Sequence, residues 1–127
     1  MKYGLLGEKL SHSFSPAIHE RISDIRYGLF EVPPSELGTF LRSGDFRGLN
    51  VTIPYKQAVI PYLDSLSESA RKAGAVNVIV RREGSRLEGC NTDVEGFVDL
   101  VRSSGVSVEG SRVAILGAGG AARAVDV

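Results

Sequence analysis

Short apolar runs alternate with helix-start signals along most of this chain, and that alternation restricts its fold more than any other feature. Residues 2–6 are an apolar run closed by Gly7, which predicts a buried strand opening into a loop over residues 8–14. Ser15-Pro16 then starts a helix expected to reach Ile25, with serine as N-cap and proline at the first helical position, where its missing N–H has no helical partner to lose. Residues 27–32 read as a second strand, 34–41 as a second helix and 48–53 as a third strand ending at Pro54. Residues 57–73 have helical character in two pieces, because Pro61 does not fit a continuous helix interior. Residues 76–81 and 86–89 predict a hairpin turning at Glu83-Gly84. Thr92 and Glu95 match a reciprocal capping box, and Val94, Phe97, Val98 and Val101 follow at helical spacing, so a helix is expected over residues 93–104.

A βαβαβ order of this kind implies an α/β fold with an open, mainly parallel sheet flanked by helices. Against a prior of about 150 residues per domain, one compact core is the limit for a chain of this size. A boundary is expected near residues 106–110, separating a domain at residues 1–108 from a segment at 109–127. In that segment residues 112–116 resemble a central parallel strand buried on both faces. Gly117, Ala118, Gly119, Gly120, Ala121 and Ala122 follow in the pattern G-x-G-x-x-G/A, directly after this predicted strand and opening a helix. Gly117 would allow the tight turn and Gly119 a close approach to a pyrophosphate at the helix N-terminus, the alternative being a flexible glycine-rich connection. Residues 109–127 are therefore expected to be the first strand and glycine turn of an incomplete Rossmann-like domain. The ribose-reading residue belongs about 20 positions further on, past Val127, so preference for NADP over NAD is not legible.

Composition removes several function classes. Fifteen Lys plus Arg balance fifteen Asp plus Glu, so no overall field favours nucleic acid or an anionic membrane. With 43% hydrophobic and 24% charged residues the chain is expected to fold. Cys90 is the single cysteine, which excludes an internal disulfide, and nothing near it has metal-ligand spacing; a reducing compartment, the cytoplasm, is the expectation. Glu8 and Lys9 interrupt the first apolar stretch before a secretory signal could complete, and the longest nearly apolar segment is about half the roughly 20 residues a membrane span needs.

Polar residues gather where strands are expected to end, the usual place for ligands in α/β folds. Ser13 and Ser15, just before a helix, could grip a carboxylate, although helix capping alone would explain a serine there. Asn50, Thr52 and Pro54 fall on one face of their strand, and Lys56 lies just beyond it. Taken singly, Lys56 reads as a solvated charge and Asp93 as a carboxylate placed to suit its helix dipole. Asn77 adds an amide at the start of another strand.

Taken in order, the segments H-S-F-S-P, N-V-T-I-P-Y-K, A-G-A-V-N, N-T-D-V-E-G and G-A-G-G-A closely resemble the shikimate dehydrogenase family across essentially the whole chain. The resemblance implies a reversible, NADP-dependent reduction of 3-dehydroshikimate to shikimate in aromatic amino-acid biosynthesis. It implies that Ser13 and Ser15 hold the substrate carboxylate, that Thr52, Asn77, Asp93 and Lys56 bind ring hydroxyls, and that Lys56 and Asp93 are the catalytic pair. Gly117, Ala118, Gly119, Gly120 and Ala121 would line the cofactor diphosphate, with Glu68 as a further cofactor-side contact. Relatives acting on quinate or an aminated shikimate, and a non-catalytic ligand-sensing module, would share the same grips. A complete member is about twice this length, as two domains require. This chain alone is thus expected to bind shikimate weakly without transferring hydride, and its unpaired strand at 112–116 to be able to pair with a second copy.

Overall fold

The computed structural model describes residues 2–11 and 13–127, and its frame is one mixed sheet. Strands β1 (Tyr3–Gly7), β2 (Tyr27–Glu31), β3 (Gly48–Val51), β4 (Ser65–Leu66), β5 (Val78–Arg81) and β6 (Leu87–Cys90) lie in the order β2-β1-β3-β5-β6-β4. β1 pairs parallel with β2 and β3, and β4 parallel with β6, while β5 runs antiparallel to both its neighbours. The sheet is thus mainly parallel, as expected. The helices are α1 (Ser15–Ile22), α2 (Leu37–Ser43), α3 (Tyr55–Ala58), α4 (Glu68–Ala73), α5 (Asp93–Ser104) and α6 (Gly120–Val125).

Side-chain alternation along the strands divides the core into two layers. On one face Leu6, Leu49, Val51 and Ile79 meet Leu41 of α2, Tyr55 of α3 and Ala70 of α4, with Phe46 buried among them. On the other, Leu5 and Tyr27 pack with Leu10, and His19 of α1 stacks flat on the Tyr27 ring at 4.0 Å. α1 covers only the β1–β2 side of this second face; over β3 and β5 an open hollow of about 650 Å³ remains, floored by Tyr3, Asn50, Val78 and Val80. The Arg81 guanidinium closes the end of the first layer by donating to the carbonyls of Leu41, Gly44 and Phe46. No helix among the described residues is long and apolar enough to cross a membrane.

The strand registers put the carboxyl ends of β1, β2, β3, β4 and β6 and the amino end of β5 on a single edge. Backbone bonds stitch that edge beyond the strands: Thr52 N–H to Leu6 O (2.9 Å), Val51 N–H to Asn77 O (2.7 Å) and Asn77 N–H to Cys90 O (3.0 Å). Every polar segment noted in the sequence therefore leaves the sheet on the same side.

Several local expectations are corrected. α1 ends at Ile22 instead of Ile25, because Ser23 turns extended and Ile25 is drawn into the Leu5, Leu10 and Tyr27 cluster. Ser15 is not its N-cap; the helix starts at Ser15 itself, and the Ser13 hydroxyl accepts the Ser15 N–H at 3.2 Å. The 57–73 segment is broken more than Pro61 alone requires, since β4 intervenes to pair with β6. The Thr92–Glu95 capping box does not form: Thr92 has helical backbone angles and its hydroxyl is taken by Asn77. Residues 112–116 are not a strand. A strand exists by pairing, no strand of the sheet lies beside this run, and Val113 and Leu116 remain 66% and 97% exposed.

Candidate active site

Lys56 and Asp93 meet although 37 residues separate them. The chain turns at Thr52, whose carbonyl accepts the Tyr55 N–H, and enters α3 through a cis Ile53–Pro54 bond. Tyr55 is buried, its hydroxyl donating to the Val32 carbonyl, and so anchors this one-turn helix on the core. Lys56, next in the chain, is left pointing along the sheet edge. Its Nζ donates to Asp93 Oδ2 at 2.6 Å, with the two side chains 19% and 37% exposed. A pair this open to water contributes little to stability, but it holds an ammonium and a carboxylate in fixed relation where a ligand can reach both.

Two asparagines build the Asp93 side of the site. Asn77 Nδ2 donates to Asp93 Oδ1 (2.8 Å) and to Thr92 Oγ1 (2.9 Å), and its Oδ1 accepts the Thr92 N–H (2.9 Å). Both Asn77 donors are therefore committed, which leaves a spare lone pair on Oδ1 for any ligand. Asn91 accepts the Asp93 N–H at 3.0 Å and donates to the Ala75 carbonyl at 2.9 Å. These amides supply the helix cap that the sequence suggests Thr92 and Glu95 would provide. Asp93, in the first turn of the twelve-residue α5, also gains from the positive end of the helix dipole.

Thr52 and Lys56 share a cleft of about 800 Å³ with Gly119, Gly120 and Ala121. A Cβ built on Gly120 would come within 2.8 Å of the Lys56 stem, so glycine lets the turn rest against the lysine. Gly117 has φ +125°, a region side chains rarely adopt, and space is open around both Gly117 and Gly119. Gly117 and Ala118 line a neighbouring hollow of about 350 Å³ with Arg123 and Asp126. Open glycine backbone leading into a helix is the environment a dinucleotide diphosphate needs, and these residues fit one.

Among the described residues the hydroxyls of Ser15 and Thr52 have no hydrogen-bond partner in the protein, and Ser13 keeps its donor free. Gly7, which ends β1, packs against both Leu10 and Thr52, so the loop carrying the serines leaves the sheet beside Thr52. His12 of the H-S-F-S-P segment lies outside the described residues. Asn50 donates nothing to the Lys56–Asp93 pair; its Oδ1 accepts the Tyr27 hydroxyl at 2.6 Å, and burial pushes that phenol up to about 12. Glu68 stands apart from the cleft lining as an exposed residue paired with Lys72 at 2.9 Å, which holds its carboxyl below the usual range. Burial, reinforced by Glu88, pushes the Cys90 thiol up, away from the thiolate form that reactivity needs. No metal-binding cluster of His, Cys, Asp or Glu occurs among the described residues. Asn91 opens the N-T-D-V-E-G segment, but taken singly an asparagine in a loop reads as a turn former, so no site role is assigned to it from the sequence.

The chain matches known proteins in both sequence and fold. The family model for the shikimate dehydrogenase substrate binding domain matches residues 5–79. The chain is 48% identical to the shikimate dehydrogenase (NADP(+)) of Symbiobacterium thermophilum, over 96% of this chain and 44% of that protein. It is 46% identical to the protein of the same name from Clostridium beijerinckii, over 97% and 48%. The crystal structure of shikimate dehydrogenase 1 from Peptoclostridium difficile superposes with a TM-score of 0.88 at 41% identity, covering 98% of this chain and 49% of that one. That of the Thermus thermophilus enzyme, in complex with NADP(H) and shikimate, gives 0.75 at 35%, covering 98% and 50%. The chain thus spans about half the length of the curated relatives it matches.

Proposed function

Because the chain belongs to the shikimate dehydrogenase family, we propose that it carries the substrate grip and proton-transfer pair of an NADP-dependent enzyme interconverting 3-dehydroshikimate and shikimate. The observation that supports this most is the Lys56–Asp93 pair, whose lysine lines a cleft with the glycine turn on its other wall. Residues 1–108 are then the substrate domain and 109–127 the opening of the cofactor domain. The single cysteine, which allows no internal disulfide, supports the reducing cytoplasm.

NADP(H), when bound, supplies or accepts the hydride. Ser13 and Ser15 donate hydroxyl protons to the substrate carboxylate beside the N-terminus of α1, where the helix dipole also favours an anion. Thr52 and the spare lone pair of Asn77 hold ring hydroxyls. As the carbonyl oxygen gains negative charge during reduction, a proton passes to it from Lys56 Nζ, whose ammonium serves as both acid and charge stabiliser. In the oxidative direction Lys56, uncharged, takes the alcohol proton. Asp93 Oδ2 keeps the ammonium aimed, and its carboxylate accepts a ring hydroxyl. Gly117, Ala118, Gly119, Gly120 and Ala121 present backbone N–H groups to the diphosphate. Glu68, proposed as a further cofactor-side contact, would have to leave Lys72 and reach the cofactor from outside the cleft lining.

Calorimetric titration of the chain with shikimate tests the grip. Wild type should bind, and Asp93→Asn should bind at least about tenfold more weakly, because hydrogen bonds to a charged group contribute ~1.5–3 kcal/mol. Equal affinity in the two proteins would contradict the assignment of Asp93.

A further inference from the structure

Lys56 and Asp93 are carried by separate helices, α3 and α5, that make no mutual backbone hydrogen bond among the described residues. Their 2.6 Å contact must therefore be set by whatever spans the gap. The Lys56 carbonyl accepts the Val76 N–H at 2.6 Å. One peptide back, the Ala75 carbonyl accepts Nδ2 of Asn91 at 2.9 Å, and Oδ1 of the same amide accepts the Asp93 N–H at 3.0 Å. One path from the lysine backbone to the aspartate backbone thus passes through the Asn91 side chain and ends on the Asp93 N–H, while a second, through Asn77, reaches the Thr92 N–H and the Asp93 carboxylate. The Asn91 side chain is 1% exposed, so water cannot stand in for it. Reversing the amide would set donor against donor at Asp93 and acceptor against acceptor at Ala75, which leaves it a single orientation.

We infer that Asn91 is a positioning residue that sets the separation of Lys56 and Asp93 and so governs substrate affinity through Asp93. This rests on the proposed function for the role of the pair, but the geometry it assigns to Asn91 does not. Thr92 and Asn77 cannot replace it, because their bonds fix the Thr92 backbone and the Asp93 side chain and leave the Asp93 N–H without an acceptor. A shorter side chain can keep half the bridge. Serine accepts an N–H two residues on in the same local geometry, whereas its hydroxyl falls short of the Ala75 carbonyl.

A double-mutant cycle on the intact chain separates positioning from mere structural support. Asn91→Ala should weaken shikimate binding about tenfold, the scale of a lost hydrogen bond that orients a charged group, and Asn91→Ser should recover part of that loss. In the Asp93→Asn background, Asn91→Ala should change affinity less than twofold, since the group it positions is already disabled. Equal losses in both backgrounds would overturn the inference. Amide hydrogen exchange, which needs no ligand, gives the second readout. In Asn91→Ala, or in Asn91→Ser should the alanine variant not fold, exchange at Asp93 should accelerate at least about tenfold while Ile79, in the sheet centre, is unchanged. Equal acceleration at Ile79 would show general destabilisation and overturn the positioning role. Failure of the wild-type chain to bind shikimate would count against the proposed function, and the exchange result would then decide the case of Asn91 alone.

Discussion

Lys56→Ala is expected to lower kcat for ketone reduction by roughly 10²–10⁴-fold, the range over which a positioned general acid contributes. The measurement uses an active chimera in which residues 1–127 replace the matching portion of the 48% identical Symbiobacterium relative. KM for the ketone should rise far less than kcat falls, because Asp93, Asn77 and the hydroxyls still hold the ring while the charge on oxygen goes unstabilised. Lys56→Arg sharpens the test. Arginine keeps the charge beside Asp93, yet it does not release its proton in the accessible pH range, so kcat should stay low while binding is largely restored. Near-normal kcat in Lys56→Ala, with only KM altered, would assign proton transfer to another group.

Phe46→Ala should destabilise the fold by about 3–5 kcal/mol, a large share of the ~5–15 kcal/mol typical of a domain. The ring is 2% exposed, lies 5.8 Å from the Phe40 ring and has the Arg81 guanidinium over it at 4.3 Å. Its removal leaves a cavity and unseats an arginine whose donors satisfy three carbonyls between α2 and β3. Phe14→Ala provides the contrast: that ring is 80% exposed, and its loss should change stability by no more than about 0.5 kcal/mol. Urea unfolding of both variants measures the difference. A Phe46→Ala loss below about 1 kcal/mol would mean that the layer between the sheet and α2 is not packed as described.

How far the sequence foreshadows this structure depends on whether a signal is local. β1, β2, β3 and the β5–β6 hairpin were legible because apolar runs bounded by turn residues mark strands without reference to their partners. α5 matches its expected residues 93–104, since Phe97, Val98 and Val101 fix its period. β4 was not legible: it is two residues long and exists only because β6 offers it an edge. The run at 112–116 errs in the opposite direction, having a strand's composition with no partner in the sheet. The capping box failed for a related reason, because Asn77, fifteen residues back in the chain, claims the hydroxyl that local reasoning gives to the helix. At the site, neither Lys56 nor Asp93 is distinguishable alone from an ordinary surface charge. Only the ordered set of segments singles them out, and their contact is a product of sheet register. Asn91 lies within that set, as the first residue of N-T-D-V-E-G, but its role is not legible there, because it rests on two backbone partners that no pattern reveals.

Isotope-labelled backbone NMR during a shikimate titration tests the convergence of these groups most directly. The account predicts that amide shifts concentrate at Ser13, Ser15, Thr52, Lys56, Asn77 and Asp93, all on the one sheet edge. Shifts confined to the open hollow around Tyr3, Val78 and Val80, with those six amides unmoved at saturation, would contradict it.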